Sequence, residues 1–485
     1  MPPHAISAPA ENGTTPPPPP AHRDGNVLRW LGAYTASMIG SNVYFVALAW
    51  AAARTGSPGQ AGLVLAVGSV PRAVLMLGGG VVADRWGPRL VVIGSDAARC
   101  VFILGMAAVL MFISPSVWLL ASVALVFGAV DALFLPAVGA LPPRITAPGQ
   151  LARVQGMSGL ATRFANVAGA PIGGLTVAIG GSASAFTAAG VLFAVSLPLL
   201  LSVRIGGLPA AKSATGTDAE AAAEERETPE AGEESRVPHD ALPGPRDAAD
   251  ARREGAGEAG AGTETAAAEK PAGGTDGKDT ASPGAGRALL DGLRYIRRHR
   301  VLAPLILVSA ITQLGFVGPL NIGLVLVSEE HGWGASGLGW IIAAFSAGAA
   351  GASLLLTVRG RVPRAGFVMC ASTIVGSVAI ACIAYAPSVA LAAVAAVCVG
   401  LLAGLGGALS GALVQTQTEP GYLGRVTSVT TLFGLGIAPL VYPVMGLAIG
   451  AWGSGPVFVA SAALCAAGTT LGLCVTSLRT AELPG

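Results

Sequence analysis

GVVADRWGPR, residues 80–89, joins two long apolar runs and packs an acid, two arginines and two glycines into one very short connection. A link that short between two membrane helices must fold back tightly, which favours the small residues Gly80 and Gly87. Asp84, Arg85 and Arg89 then fall at a membrane boundary, where charges pair, cap helix ends and fix sidedness.

The composition around this stretch agrees. The 485 residues are 52% hydrophobic and 12% charged, with a mean hydropathy of +0.65. Soluble domains carry about 25% charge, so this is membrane composition. Residues 206–288 hold 17 of the 27 acids but 9 of the 29 bases; outside them remain 10 acids and 20 bases, all arginine, a net +10. The near-neutral total hides a basic membrane portion and an acidic tether.

Apolar runs of about 20 residues, enough to span a bilayer, recur near 28–52, 60–83, 90–113, 116–139, 152–179 and 183–204. After the tether they resume near 301–328, 335–358, 365–386, 388–412, 424–449 and 455–478. The expected fold is an all-α membrane protein of twelve transmembrane helices in two six-helix bundles, 27–205 and 289–480. Residues 1–26 are polar and proline-rich, with PPPPP at 16–20, so a disordered tail is expected there rather than a cleavable signal peptide. Residues 206–288 are rich in Ala, Gly, Glu, Asp, Pro and Thr and lack the large apolar side chains that offset ordering entropy, which predicts a disordered linker. A regulatory alternative is an acidic strand lying against an arginine-rich face.

With an internal N-terminus, sixteen of the arginines outside the tether fall on the inner side, among them Arg29, Arg85, Arg89 and Arg425, and only Arg54 reaches an outer connection. By the positive-inside rule both termini and the tether are cytoplasmic, and the chain is a multi-pass protein of the inner or plasma membrane. DGLRYIRRHR, 291–300, interleaves Leu293, Tyr295 and Ile296 with arginines, as in a short amphipathic helix at the lipid surface. Its place just before an apolar run argues against nucleic-acid binding.

The halves repeat. Leu151-Ala-Arg153-Val154 matches Leu423-Gly-Arg425-Val426, and one offset of 272 residues also relates Pro171 to Pro443, Gly174 to Gly446 and Phe186 to Phe458. Duplicated halves are the build of alternating-access transporters, with substrate bound between them near the midplane. Pro171, Gly174, Pro443 and Gly446 are helix-bend candidates. VRGRVPR, 358–364, is a degraded echo of the 80–89 loop that lacks the aspartate.

Residues 80–89 resemble the loop between the second and third helices of major facilitator superfamily transporters, G-x-x-x-D-[RK]-x-G-x-[RK], at every fixed position. VDALFLPAVGALPPRI (130–145), the run from Leu151 to Leu175, VPR at 70–72, SDAAR at 95–99 and the late LGRV are similar to the efflux branch that includes enterobactin and macrolide exporters. The resemblance spans both bundles and omits the tail and tether. It implies export of small molecules, often against inward proton flow, and a conformational gate at Gly80, Asp84, Arg85, Gly87 and Arg89 that stabilises the outward-facing state. One departure bears on antiport: the fifth-helix motif has Gly-Pro followed by x-x-Gly-Gly, whereas here Ala170-Pro171 stands and only Gly174 of the last pair is in register.

Charges inside a membrane are costly and are default functional candidates. They are Arg72, Asp96, Arg99, Asp131 and Arg163, all in the first half. Asp96 and Arg99, three apart, share a helix face and can pair; Asp131 has Arg89 or Arg99 as a plausible partner. Structural pairing is one reading of these residues, and proton coupling at Asp96 or Asp131 is the other. Arg72, Arg99 and Arg163 are buried-cation candidates, of which Arg72 and Arg163, nearer the midplane, could hold an anionic substrate group. Asn42, Tyr44, Gln313 and Asn321 are cavity candidates, each equally readable as a helix-packing hydrogen bonder. Trp30 and Trp118 read as interface residues.

Six cysteines stand singly in apolar runs, and no metal cluster, nucleophile triad or phosphate loop is present. No metal or other cofactor and no enzymatic activity are expected, and energy must come from an ion gradient. The expectation is a secondary transporter, most simply a monomeric proton-coupled exporter of small amphipathic molecules. The alternatives are a proton–solute symporter or facilitator that imports, or a transporter-like scaffold or sensor. Its partners are a small-molecule substrate, protons and the lipid bilayer, with no nucleic acid.

Overall fold

The computed structural model describes residues 21–146, 148–204, 285–359, 362–419 and 421–482, with the backbone alone described at 76–84, 148, 152 and 285–289. The tail up to residue 20 and the tether from 205 to 284 lie outside the described residues.

The first half forms α1 (Gly25–Thr55), α2 (Pro58–Trp86), α3 (Pro88–Phe112), α4 (Val117–Gly139), the one-turn α5 (Pro142–Ile145) and α6 (Leu151–Ser202). The second forms α7 (Ala285–Arg298) and α8 (Leu302–Gly318), the latter continued through a π-helical turn (Pro319–Gly323) into α9 (Leu324–Glu330). Then follow α10 (Gly334–Arg359), α11 (Ala365–Ala384), α12 (Val389–Gln417), α13 (Leu423–Gly436), α14 (Ala438–Trp452), α15 (Ser454–Cys474) and the one-turn α16 (Thr476–Arg479). Among the described residues there is no strand.

Among the described residues, ten stretches are long and apolar enough to cross a bilayer. One of them, α6, is two spans: its 52 residues as unbroken helix would measure about 78 Å against a hydrocarbon core of about 30 Å. Gly180 (φ −139°, ψ 22°) and Gly181 (φ 71°, ψ −166°) leave helical angles and divide it. With α2, 29 residues long, the spans number twelve, six in each half. α7 begins at Ala285, inside the stretch assigned to the tether from composition.

Local chemistry sets the helix starts. Ser57 and Gln60 form a capping box on α2, while Ser116 and Ser388 cap α4 and α12 by accepting from the amides three residues on. The α2–α3 connection is a single residue, Gly87, at φ 82° and ψ 135°, a region essentially reserved for glycine. Gly80 is not part of the turn: α2 runs through it to Trp86, because one glycine suffices to reverse the chain and Pro88 supplies the first turn of α3. The corresponding turn of the second half ends on Arg364 at φ 50°.

The core is continuous at one end of the molecule and divided at the other. A single apolar cluster joins both halves, from Val43, Phe127 and Phe186 to Phe316, Leu338 and Phe458. At the opposite, arginine-rich end there are two separate clusters, one around Trp30, Phe134 and Val154, the other around Ile296, Leu302 and Leu413. The halves thus meet at the end where Arg54 Nε of α1 lies 3.9 Å from Glu329 Oε1 of α9, and part at the arginine-rich end. Of the two tryptophans read as interface residues, Trp30 is 2% exposed and stacked on Tyr34, while Trp118 is 81% exposed.

Two backbone seams close the shared end. A Cβ added to Gly174 in α6 would run into the carbonyl of Ala335 and the Cα of Gly339 in α10; one added to Gly446 in α14 would run into the carbonyl of Pro58 and the Cα of Gly59 in α2. Pro171 and Pro443 belong to the same seams, against Gly339 and Gly62. The four residues singled out as bends therefore lie where the halves touch. The backbone stays helical through Pro171 and Gly174, and Pro443 and Gly446 lie within α14.

Candidate functional site

A chain of alternating charges runs from the space between the halves into the first bundle. Arg72 Nε of α2 lies 3.2 Å from Asp131 Oδ2 of α4. Asp131 Oδ1 accepts from Arg99 Nη1 of α3 at 3.3 Å, and Arg99 Nη2 donates to Asp96 one turn earlier. Ser37 donates to Asp96 Oδ1 at 2.9 Å, and Ser196 donates to Oδ2. Ser41 Oγ accepts from Arg99 Nη1 at 3.3 Å. The network ties together α1, α2, α3, α4 and α6.

A charge as deep as Arg99, 1% exposed, is tolerable only when pairing and hydrogen bonds offset the cost of its desolvation. Two carboxylates match it. Three ring faces surround it, Phe134 at 3.7 Å, Phe193 at 5.0 Å and Phe127 at 6.0 Å from the guanidinium carbon. Two arginines and two aspartates leave the tetrad neutral as a whole.

The two carboxylates differ in what remains open on them. Both oxygens of Asp96 accept hydrogen bonds, and the residue is 0% exposed. Asp131 Oδ2 has no hydrogen-bond partner, and neither has Arg72 Nε: their contact is charge against charge without hydrogen-bond alignment. Close helix packing makes it possible. A Cβ on Gly128, three residues before Asp131, would strike the carbonyl of Gly68, four residues before Arg72. The crossing of α2 and α4 is therefore backbone to backbone, which carries Arg72 across to Asp131.

Arg72 also borders a cavity of about 410 Å³ between the halves. Its walls include Asn42, Tyr44, Phe45 and Asn166 from the first half and Asn321, Phe345 and Tyr442 from the second. Tyr44 stacks on Phe127, and Asn42 donates to Asn166 at 3.1 Å. A second cavity of about 400 Å³, in the second half, is bordered by Gln313, Asn321, Phe345 and Phe433. The four cavity candidates thus all border one space or the other, and Asn321 borders both. Such largely apolar spaces with a few polar groups are the usual form of a small-molecule site.

Arg163 stands apart from the tetrad. It is exposed, and among the described residues no ion pair includes it. Helical spacing puts it on one stripe with Gly156, Gly159, Asn166, Ala170 and Gly174. The last two press against α10, Asn166 borders the cavity, and Gly156 and Gly159 have open space where a Cβ would be. Arg163 therefore occupies the parting side of the stripe, toward the arginine-rich end.

Of the gate candidates, Arg89 donates to the carbonyl of Leu201 at 2.8 Å, not to Asp131, and Arg85 is exposed. The side chain of Asp84 lies outside the described residues. Sequence reasoning missed Ser37, Ser41, Ser196 and the aromatic box around Arg99, since hydroxyls and phenylalanines are commonplace in membrane helices. It also missed the π turn, which offers a signal in Pro319 inside an apolar span; π turns often mark functional sites, and this one carries Leu320 and Asn321, which border both cavities. Among the described residues no group of acids, histidines and cysteines is placed to hold a metal.

A family model described as Major Facilitator Superfamily matches residues 30–439. No curated protein matches the chain. Among solved structures, the fold is similar to the nucleoside transporter NupG (TM-score 0.62, 11% identity, covering 93% of this chain and 98% of that one). It is also similar to a POT family transporter in complex with 5-aminolevulinic acid (TM-score 0.62, 11% identity, 93% and 96%). A third similar structure is a bacterial homolog of the human lysosomal transporter Spinster in an inward-facing and occupied conformation (TM-score 0.62, 12% identity, 95% and 98%). Identities this low speak to the fold alone.

Proposed function

Because the chain belongs to the Major Facilitator Superfamily and is a multi-pass membrane transporter of that type, we propose that it is a proton-coupled exporter of small amphipathic organic molecules that works by alternating access. The observation that carries this reading is Asp131 Oδ2: a buried carboxylate oxygen without a hydrogen bond, 3.2 Å from an arginine that borders the cavity. A proton arriving there turns the neutral tetrad into a net +1 and releases Arg72 toward the cavity, so that cargo and proton exclude each other when the cargo is cationic. Asp96, with both oxygens occupied, holds Arg99 in place.

Direction rests on the resemblance of 70–72, 95–99 and 130–145 to the efflux branch. With the arginine-rich end in the cytoplasm of a cell whose inner or plasma membrane holds the protein, the parted end faces inward, ready to load. In this scheme Asp84, Arg85, Gly87 and Arg89 form the gate that closes that end. Asp84→Asn is expected to impair flux without preventing insertion; unchanged flux removes the gate role.

A second reading is favoured by Arg72 itself: an anionic solute would bind best when a proton has neutralised Asp131, and the two would then travel together. Everted membrane vesicles with and without an imposed pH gradient, tested with the cationic dye ethidium and the anionic dye fluorescein, distinguish them. Gradient-driven accumulation of ethidium supports export by exchange. Fluorescein moving in the same direction as the protons supports co-transport, and no gradient-dependent flux of either overturns both.

A further inference from the structure

The amphipathic segment predicted at 291–300 is helical over Ala285–Arg298, and it does more than lie beside the membrane. Ile296 is 4% exposed, in the core of the second half. A Cβ on Gly292 would come within 3.0 Å of the Arg425 carbonyl oxygen, so the two backbones pack closely there. Tyr295 stacks on Tyr422, with ring centroids 4.3 Å apart and planes 8° from parallel, and Arg425 lies 5.2 Å from the Tyr422 ring centroid. α7 is thereby fixed against the start of α13, and a cavity of about 380 Å³ opens between them.

Arg294, Arg298 and Arg425 border that cavity, with His299 and a single acid, Asp291. Among the described residues none of the three arginines has an ion-pair partner. Arg294 and Arg298 are four apart on one helix face, where like charges repel, and the stacked tyrosines and the buried Ile296 hold α7 against Arg425. His299 Nδ1 accepts from the amide of Leu302 at 3.2 Å, which leaves Nε2–H as its free donor. On the outer side of α7, Leu290 and Leu293 are 66% and 41% exposed, and α8 enters the membrane four residues after α7 ends. A fixed group of unmatched guanidinium ions beside exposed leucines, at the level where a span begins, suits a ligand with a negative head and an apolar body.

We propose that this cavity binds the phosphate headgroup of an anionic phospholipid, with Arg294, Arg298 and Arg425 on the phosphate and the acyl chains along Leu290 and Leu293. The site links the segment that follows the tether to the first turn of α13. It stands independently of the transport cycle and of what the protein carries.

The full-length protein, purified and delipidated in detergent, tests it by thermal unfolding with phosphatidylglycerol or phosphatidylcholine added. Phosphatidylglycerol is expected to raise the midpoint by ~3 °C or more over phosphatidylcholine. Arg294→Gln, Arg298→Gln and Arg425→Gln together should remove that difference, each protein being read against its own midpoint in phosphatidylcholine. If the triple variant does not fold, native mass spectrometry of the wild-type chain decides: retained phosphatidylglycerol in excess of phosphatidylcholine supports the site. Equal shifts with both lipids, a difference that survives in the variant, or the same shift with inorganic phosphate alone each overturn the proposal.

Discussion

Arg72 and Asp131 meet between α2 and α4 with Nε 3.2 Å from Oδ2, the arginine side chain 32% exposed and the aspartate 4%. The pair joins the cavity to the buried Arg99–Asp96 pair, where both side chains are 0% exposed. One end of the tetrad is open to the cavity and the other is sealed. In the proposed cycle, structure and transport therefore load different members of the same network.

Asp96→Asn leaves Arg99 short of one carboxylate in a site without water access, and breaking such a pair costs about 3–5 kcal/mol. Arg72→Gln takes away a partly exposed partner and leaves Asp131 still paired with Arg99 through Oδ1, so its loss should cost less than that of Asp96→Asn. Denaturant unfolding in detergent compares them; equal losses contradict the division into a structural and an exchangeable end.

Gly174→Leu and Gly446→Leu wedge a side chain into the two seams where α6 meets α10 and α14 meets α2. Spin labels at the exposed loop positions Ser114, between α3 and α4, and Pro387, between α11 and α12, in a cysteine-free background, should report longer distances across the Arg54–Glu329 end. Gly156→Ala and Gly159→Ala, where a Cβ meets open space, should leave the distances alone. Unchanged distances in the leucine variants would mean that the seams do not hold this end shut.

Gly87→Ala forces a side chain into φ 82°, ψ 135°, at a cost of about 1–3 kcal/mol. Gly94→Ala, inside α3 with nothing within 4 Å of its Cβ, should gain about 0.5–1 kcal/mol of stability. The same unfolding assay reads both, and opposite signs are the expected outcome.

The spans were legible because length and hydropathy alone decide what crosses a bilayer; the two spans of α6, for example, divide at Gly180–Gly181 as the apolar runs do. The Asp96–Arg99 pair was legible from its three-residue spacing, a contact within one helix. Arg72 as the partner of Asp131 was not, because it depends on which glycines let α2 and α4 approach, and all-apolar segments give no periodicity from which to read helix rotation. The same limit explains Pro171, Gly174, Pro443 and Gly446. Their repeat was visible at an offset of 272 residues, but a proline and a glycine along one helix look alike whether they bend it or press it against a neighbour.

The most direct test of the coupling claim is Asp131→Asn in everted vesicles, measured with the dye that the wild-type protein accumulates on a pH gradient. The variant should accumulate no more dye with the gradient than without it, while still letting the dye equilibrate down its own gradient. Gradient-driven accumulation at the wild-type level in Asp131→Asn would contradict the account and move proton coupling away from the Arg72–Asp131 pair.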